Sequence, residues 1–481
     1  MPEHFDVLIV GAGLSGIDAA VRLQERCPDR SFAIVERRAR IGGTWDLFRY
    51  PGIRSDSDVT TLGFPFRPWK GNQAITAGGD IREYILETAR ETGVMDKVRT
   101  GRTVTAAAWS SDEARWTVTL DGPDGPETMT CGFLYACTGY YNYDRAHVPD
   151  YPGADQFGGE IVVPQFWPED LDWSGKRIVV IGSGATAVTL VPTLAETAQV
   201  TMLQRSPSYV VTLPSKDKWA GRLQRILPLR AAHRLTRWKN IGMSMMIYQM
   251  SRRRPQKMRS FFIENARKQL PEGFDVEKHF VPDYDPWDQR LCVVPQGDLF
   301  RAIRKGTADV VTERIDTFTE TGIRLQDGRE LPADIIVSAT GLSVQILGGA
   351  TLTVDGAPYS VAEHVSYKGA MLDGLPNAAM AFGYTNASWT LKCDQIARYV
   401  CRLLNHMKRK GHTVATPRVD PKAPRDPFVD LSSGYVKRAS GVVPSQGRAA
   451  PWRVHQNYIR DVIEFRLKPV VDGAIDFRGQ P

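Results

Sequence analysis

Two glycine-rich turns, each between an apolar run and a helix-like pattern, constrain the fold of this chain more than any other feature. The first follows apolar residues 5–10 and contains Gly11, Gly13 and Gly16 in the spacing G-x-G-x-x-G. These glycines let the backbone turn tightly beside a pyrophosphate, and the next helix directs its free N–H groups at that charge. A second apolar run ends at Glu36, whose carboxylate can accept hydrogen bonds from ribose hydroxyls. Strand, turn, helix and acid together predict a dinucleotide site.

A second unit repeats this scheme later in the chain. Gly182, Gly184 and Ala187 form G-x-G-x-x-A after another apolar run, and the next strand ends in Arg205 and Ser206 instead of an acid. A carboxylate would repel a 2′-phosphate, whereas a guanidinium can bind one through two hydrogen bonds. The second site is therefore predicted to prefer NADPH over NADH. A surface residue at a strand end is the alternative for Arg205.

Each turn unit is followed by a hairpin pattern and a return strand that ends in a glycine turn, near Gly139 and near Gly341. These patterns predict an α/β fold with two Rossmann-like dinucleotide-binding domains, one for FAD and one for NADPH, and a helical insert in the second. The predicted boundaries are residues 1–146 with 341–481 for the FAD-binding domain, 147–213 with 283–340 for the NADPH-binding domain, and 214–282 for the helical insertion.

The net charge of +7 is concentrated between Arg222 and Lys268. The same stretch contains Met243, Met245, Met246 and Met250. A solvated helical insert with one apolar face is the main interpretation. Weak peripheral contact with an anionic membrane is the alternative, and nucleic acid is disfavoured because no binding motif accompanies the charge.

Cysteine usage and the amino-terminal residues predict a cytoplasmic protein. The six cysteines are scattered without metal-ligand spacing, so no metal site is expected and the thiols are predicted to be reduced. The first strand starts near Phe5, which leaves no room for a signal peptide, and no run has the roughly 20 apolar residues of a membrane span.

A family resemblance rests on two further motifs. Gly42-Gly43-Thr44-Trp45, Tyr50-Pro51-Gly52 and Asp56 match the pattern G-G-x-W-x-x-x-x-[FY]-P-G-x-x-x-D in full, and Phe157-Gly158-Gly159 with Trp167-Pro168 matches most of a second fingerprint. The chain thus resembles the Baeyer–Villiger monooxygenases, which are class B flavoprotein monooxygenases, over essentially its whole length. Runs at 183–188, 287–292 and 383–389 resemble the ethionamide-activating subgroup.

This resemblance implies an FAD- and NADPH-dependent monooxygenase that uses O2 to convert ketones to esters or lactones through a C4a-peroxyflavin. It implies that Arg290 is the catalytic cation and that Asp56 holds and orients it. An arginine stays protonated at any working pH and can stabilise a peroxide anion or an oxyanion. A surface arginine before a strand and a turn-capping acid are the alternatives for the two residues.

The resemblance also assigns residues to the cofactors. Gly43, Thr44, Trp45 and Asp56 belong to the pattern expected to contact the flavin nucleotide. Gln289 stands where other members often place a lysine, so binding of the 2′-phosphate is expected to depend more heavily on the arginine of the second unit.

Two tryptophans are predicted to line a substrate pocket. Trp452 falls where the family has a mobile loop over the cofactors, and Trp389 precedes a stripe of apolar residues at helical spacing. A packed aromatic and a core helix are the respective alternatives. The expected partners are O2 and a small ketone or sulfide, whereas the oligomeric state is left open.

The sequence departs from the second fingerprint at one position. The histidine expected there is Val163, and Phe166 replaces a further histidine expected in the subgroup. In the family this histidine lies in the linker between the two domains, so its loss bears on NADPH coupling. This loss makes a largely uncoupled NADPH oxidase one alternative function, and an S- or N-oxygenating flavin monooxygenase, which can share the same scaffold, is the other. A flavin disulfide reductase is disfavoured because no cysteine pair follows the first helix.

Overall fold

The computed structural model describes residues 2–289, 291–429 and 432–479. The first part of the chain alternates strands with helices and ends in an antiparallel hairpin. Its elements are β1 (Glu3–Val10), α1 (Leu14–Arg26), β2 (Phe32–Val35), α2 (Thr44–Leu47), α3 (Val59–Leu62), α4 (Gly78–Glu91), β3 (Val98–Arg99), β4 (Thr103–Ser110), β5 (Arg115–Gly122) and β6 (Gly125–Ala136).

The middle part contains the second glycine turn and a group of helices. Its elements are β7 (Glu160–Val162), β8 (Arg177–Ile181), α5 (Ala185–Leu194), β9 (Gln199–Gln204), β10 (Val210–Leu213), α6 (Lys218–Ile226), α7 (Leu229–Arg253), α8 (Pro255–Arg267), α9 (Val276–Phe280), β11 (Cys292–Pro295), α10 (Asp298–Arg304), β12 (Ala308–Thr312), β13 (Ile315–Thr319), β14 (Gly322–Leu325), β15 (Glu330–Pro332) and β16 (Ile335–Ser338).

The last part contains one long helix among short strands. Its elements are β17 (Thr351–Val354), β18 (Ala357–Tyr359), β19 (Ser366–Tyr367), β20 (Met371–Leu372), β21 (Ala378–Met380), α11 (Trp389–Lys410), β22 (His412–Pro417), β23 (Arg425–Pro427), α12 (Gly434–Arg438), β24 (Ser445–Gly447), α13 (Tyr458–Val462), a π-helical turn (Ile463–Leu467) and β25 (Ile475–Gly479).

The first sheet has the strand order β18–β17–β4–β5–β6–β1–β2–β3, and β21 also pairs with β6. β1 is parallel to β2 and β6, so that Val10 lies opposite Val35 and Ala136. α1 and α11 contribute to an apolar core on one face of this sheet, and residues of β4, β5 and β6 contribute to a second core that contains Leu8 and Val35. The central strands are therefore apolar on both faces. Because β17, β18 and β21 join this sheet, the chain returns to the first unit after the second one.

The second sheet is parallel, with the order β12–β9–β8–β16–β7. Ile181, at the end of β8, lies opposite Leu203 and Ser338. α5 and α10 pack their apolar residues against this sheet, while β13, β14 and β15 form a separate antiparallel sheet. The predicted α/β fold with two Rossmann-like units is confirmed.

The residues between β10 and β11 form α6 to α9. α7 packs against α6, α8 and, in the first unit, α3. None of the described helices combines the length and the apolar character needed to cross a bilayer. The predicted domain boundaries stay predictions.

Candidate active site

The first glycine turn lies at the carboxyl end of β1 and brings backbone atoms close together. Gly11 has a φ of +104°, and a Cβ built on it would lie 2.6 Å from the carbonyl oxygen of Cys137. A Cβ on Gly16 would overlap the carbonyl oxygen of Gly11, so this glycine lets α1 approach the strand. Gly13 faces the backbone of Gly43, and a Cβ built on Gly13 would lie 3.4 Å from the Cα of Gly43. On its other side the turn faces a cavity, which Gly11 and Gly13 line.

Glu36 lies directly after β2 with its side chain buried. Its carboxylate accepts hydrogen bonds from the backbone N–H groups of Ala12, at 2.8 Å, and Arg38, at 2.9 Å. Burial raises the pKa of Glu36, and these hydrogen bonds offset part of that rise. The carboxylate is thus fixed against the first glycine turn.

The second glycine turn repeats this geometry at the end of β8. Gly182 has a φ of +136°, and a Cβ there would overlap the carbonyl oxygen of Ala339. Arg205 and Ser206 follow β9 and are exposed. The Ser183 hydroxyl donates to the Ser206 carbonyl oxygen at 3.1 Å, which ties the glycine turn to the end of β9.

One cavity of about 1780 Å³ connects the two turns. The sequence-predicted residues that line it are Gly11, Gly13, Glu36, Gly43, Thr44, Trp45, Asp56, Gly182, Gly184, Arg205, Ser206, Gln289 and Trp389. Gly16 and Ala187 lie behind its wall, where they allow each helix to pack on its strand. Arg290 lies outside the described residues.

The motif from Gly42 to Asp56 extends from the first turn to the second unit. The Tyr50 side chain is partly buried, and desolvation raises its pKa to about 12; it interacts with Thr186 of α5. Gly52 has a φ of +76°, and a Cβ there would overlap the Thr193 hydroxyl of α5. The Tyr-Pro-Gly part of the motif therefore packs between the two units, a role that the sequence pattern alone did not reveal.

Asp46, inside the same motif, is a buried carboxylate that sequence analysis missed. It forms ion pairs with Arg38 at 2.8 Å, Arg49 at 3.1 Å and Arg40 at 3.3 Å. Arg82 is a fourth ion-pair partner at 3.9 Å, and these four arginines around one buried acid fix α2 at the edge of the cavity. The clustering of arginines at 37–40 was the available signal.

A polar group on the cavity wall was also missed. Asp58 caps α3 by accepting from the Thr61 backbone N–H at 2.9 Å, and the Asn240 amide of α7 donates to Asp58 at 2.8 Å. The Thr61 and Ser388 hydroxyls lie 2.6 Å apart. α3, α7 and the start of α11 thus meet through hydrogen bonds beside Asp56.

Arg237 of α7 holds the same region from behind. Its buried guanidinium donates to the carbonyl oxygens of Thr60 at 2.6 Å, Thr61 at 3.2 Å and Gly63 at 2.8 Å. These carbonyls belong to the end of α3, where they have no helical partner. These hydrogen bonds connect the helical insert to the first unit. No pattern in the sequence predicted this contact.

Trp389 begins α11 at the cavity wall. Its indole N–H donates to the Ser15 hydroxyl of α1 at 3.0 Å, and its ring stacks on Tyr140 with centroids 5.0 Å apart. These contacts fix the indole where the starts of α1 and α11 converge.

Trp452 is not among the residues that line the cavity, and its role in a substrate pocket stays a prediction. Its ring contacts Tyr367 at 5.5 Å between centroids, and its backbone pairs with Gly447 at 3.0 Å. The carbonyl of neighbouring Pro451 accepts from the Lys368 N–H at 2.8 Å. Packing against the first core, not proximity in sequence to a mobile loop, determines where this ring lies.

Val163 and Phe166 also lie away from the cavity wall. Val163 is half-buried and Phe166 is 51% exposed. Between them, buried Gln165 donates its amide to the carbonyl oxygens of Asn142, at 2.8 Å, and Tyr143, at 3.2 Å. Gln165 therefore anchors this linker to the segment that follows β6.

Within the described ranges, no group of three or more His, Cys, Asp or Glu side chains could hold a metal ion. All six cysteines belong to those ranges, are buried, and form no disulfide.

Comparison with known proteins relates the chain to oxygenating flavoproteins. Residues 64–347 match the family described as flavin-binding monooxygenase-like, and residues 9–70 match the NAD(P)-binding Rossmann-like domain. The chain is 52% identical over 484 residues to FAD-containing monooxygenase EthA of Mycobacterium tuberculosis (strain ATCC 25618 / H37Rv), covering 100% of this chain and 99% of the relative.

Two further similarities extend over nearly the whole chain. Putative FAD-containing monooxygenase MymA of the same organism is 51% identical over 486 residues, covering 99% of this chain and 98% of that protein. The crystal structure of cyclohexanone monooxygenase from Rhodococcus sp. Phi1 bound to NADP+ superposes with a TM-score of 0.76 at 18% identity, covering 100% of both chains. The latter likeness is one of fold.

Proposed function

Because this chain belongs to the flavin-binding monooxygenase family, we propose that it inserts one oxygen atom from O2 into a small ketone, giving an ester or lactone, and also oxidises sulfides. It is an NADPH-dependent flavin monooxygenase, with FAD at the first turn and NADPH at the second. The observation that carries the proposal is the single cavity that reaches both Gly11 and Gly182. Two nucleotides in one cavity can pass a hydride between their rings.

The residues at the first turn fit an FAD. Gly11, Gly13 and Gly43 line the cavity, so a pyrophosphate can reach their backbone, and the start of α1 offers it N–H donors. The buried carboxylate of Glu36 suits a ribose with free hydroxyls and repels a 2′-phosphate. Bound FAD supplies the two-electron reduction and the activation of O2 that no side chain provides.

The second turn fits a nucleotide with a 2′-phosphate. Arg205 lies exposed on the cavity wall directly after β9, with Ser206 beside it and Gln289 on the same wall. The guanidinium can pair with two phosphate oxygens, and the hydroxyl and amide can donate further hydrogen bonds.

The reacting end of the cavity lies beside Asp56, where two roles are proposed. Asp56 is a positioning residue for Arg290, and Arg290 stabilises negative charge that develops on oxygen. The support is the complete family pattern around Asp56 and the hydrogen-bonded group formed by Asp58, Asn240 and Ser388 next to it. Trp389 and Ile241 of the insert give this region an apolar wall.

The test measures NADPH consumption, oxygenated product and H2O2 together, with linear, cyclic and aryl ketones and with sulfides. The proposal predicts ester or lactone from at least one ketone, with product accounting for most of the NADPH. Arg290→Ala should retain flavin reduction and lose about 100-fold or more in product formation. Sulfoxide alone would support heteroatom oxygenation instead, and peroxide alone with every substrate would support the uncoupled oxidase.

The uncoupled alternative rests on Val163 and Phe166. Neither side chain lines the cavity, and Gln165 holds the linker through two hydrogen bonds. Efficient coupling is therefore part of the proposal.

A further inference from the structure

The helical insert has an unusual charge balance. Between Lys218 and Arg267, which span α6 to α8, the sequence contains 13 Lys and Arg residues and a single acid, Glu264. Exposed members of this basic set are Lys218, Arg222, Arg225, Arg230, Arg234, Arg252, Arg253, Arg254, Lys257 and Arg267. The surface of the insert is therefore strongly positive.

One face of α7 exposes large apolar side chains within this positive surface. Leu235 and Trp238 are each 51% exposed, and Met246 is 49% exposed. Their spacing, together with Met243 and Met250, puts them on one side of the helix. The opposite side buries residues such as Ile241 against the protein. We name these five residues the α7 stripe.

The α7 stripe continues onto the C-terminal segment. Trp238 contacts Tyr458 of α13 with ring centroids 5.7 Å apart. From α13 into the π-helical turn, Ile459, Ile463 and Leu467 recur every four residues and are 52%, 40% and 73% exposed. Joined apolar stripes on adjacent helices form a patch of the kind that marks an interaction site.

The cavity opens within the same surface. Trp219 of α6, Met243 of α7 and Phe261 of α8 both line the cavity and expose about half of their side-chain surface. The apolar surface of the insert and the apolar interior of the cavity are therefore continuous.

We infer that this surface docks on an anionic lipid bilayer, with the α7 stripe in the interfacial region and the cavity opening directed at the lipid. Large apolar side chains next to many arginines are the features by which helices lie in a membrane interface. A second copy of this chain would bring two strongly positive surfaces together, and nucleic acid would leave the apolar stripe in water. Docking on the bilayer is independent of the proposed function. Delivery of an apolar ketone from the bilayer to the cavity, in contrast, rests on the proposed function.

The test is flotation of the FAD-loaded full chain with phosphatidylcholine vesicles, with and without phosphatidylglycerol. We expect flotation with the anionic vesicles and little with the neutral ones. Raising NaCl from about 0.1 M to about 1 M shortens the screening length from about 10 Å to about 3 Å and should weaken binding. Failure to float with anionic vesicles at the lower salt overturns the inference.

Two double variants and two matched controls assign the surface. Leu235→Ser with Met246→Ser, and Arg253→Glu with Arg254→Glu, should each lower the partition coefficient at least about tenfold. None of these four residues lines the cavity. Ile161→Ser, on exposed strand β7, and Arg409→Glu with Lys410→Glu, at the end of α11, should leave it unchanged.

Flavin content and NADPH oxidation, measured on the same samples, show whether each variant is folded. Because flotation does not depend on product formation, failure of the docking inference can be told apart from failure of the proposed function. Unchanged flotation of the Leu235/Met246 variant would overturn the inference. The inference would also be overturned if the parent protein were a dimer by light scattering and did not float, while the Leu235/Met246 variant were a monomer. A second copy of the chain would then cover the α7 stripe.

Discussion

Glu36 and Arg205 occupy equivalent places in the two units, directly after the second strand of each. One is a buried carboxylate fixed by backbone N–H groups, and the other is an exposed guanidinium. At the scale of single residues, this difference in charge supports the proposed assignment of FAD to the first turn and NADPH to the second. Both residues could be predicted from the sequence, because the length of the βαβ unit fixes their positions.

Replacing Arg205 with alanine should lower kcat/KM for NADPH by about 10- to 100-fold, because a charge-assisted pair with the 2′-phosphate is lost. The value for NADH should change little, since that nucleotide lacks the phosphate. Steady-state kinetics with both nucleotides measure the ratio. Arg329→Ala is the control, because Arg329 lies in the β14–β15 turn and pairs with Asp327. Equal losses with both nucleotides would contradict the assignment.

At the scale of elements, the contacts between units decide how the site is assembled. α5 packs on Gly52 of the first unit, and α7 of the insert binds the end of α3 through Arg237. Sequence analysis predicted the glycine turns, because turn, strand and helix are local patterns. It did not predict these contacts, which join residues more than 100 positions apart and leave no periodic signal.

Gly52→Ala should slow flavin reduction by NADPH, because the new methyl group overlaps the Thr193 hydroxyl and separates the two units. Gly71→Ala is the matched control. Gly71 also has a positive φ, of +90°, but has no atom within 4 Å of its Cβ position. Both variants should lose about 1 kcal/mol of stability from backbone strain. Stopped-flow reduction should be slowed only in Gly52→Ala, and equal rates in the two variants would show that the contact is unimportant.

Arg237→Met should destabilise the protein by about 3 kcal/mol, because three buried carbonyl oxygens lose their donor. It should also increase the H2O2 formed per NADPH, because the segment with Asp56 and Asp58 is no longer held. Arg237→Lys should partly restore coupling. Arg234→Met, on the exposed side of the same helix, should change neither unfolding by urea nor the peroxide yield. A peroxide yield that stays constant in Arg237→Met would limit its role to stability.

At the scale of the whole molecule, the sequence predicted the paired α/β units and the nucleotide turns, whereas long-range packing determined the rest. The packing of Trp452 on Tyr367 could not be predicted, because proximity to a loop in sequence says little about what a ring packs against. Asp46 and its arginines were missed because their pairing depends on how α2 folds back. The domain boundaries and the cytoplasmic location stay predictions.

Folding as a whole should become sensitive to mild acid through His233. Burial, with a contribution from Arg237, lowers the pKa of this histidine from 6.5 to about 4. Between these two pKa values His233 is protonated in the unfolded chain but neutral in the folded protein. The free energy of unfolding therefore falls as the pH decreases from about 6.5 to about 4. Between pH 7 and pH 5 the loss should be about 2 kcal/mol. Urea unfolding of the parent should show this loss, and His233→Gln should reduce it, whereas exposed His4→Gln should not. Identical pH dependence in the parent and His233→Gln would contradict this explanation.

The common cavity has a consequence for inhibitor design. The second turn offers an exposed guanidinium, and the wall near Met243 and Phe261 is apolar. A bivalent molecule that joins a phosphorylated adenosine fragment to an apolar group could bind the guanidinium and the apolar wall at the same time. A short flexible tether gives the second fragment an effective concentration of about a millimolar, so two weak fragments could combine into one tight antagonist.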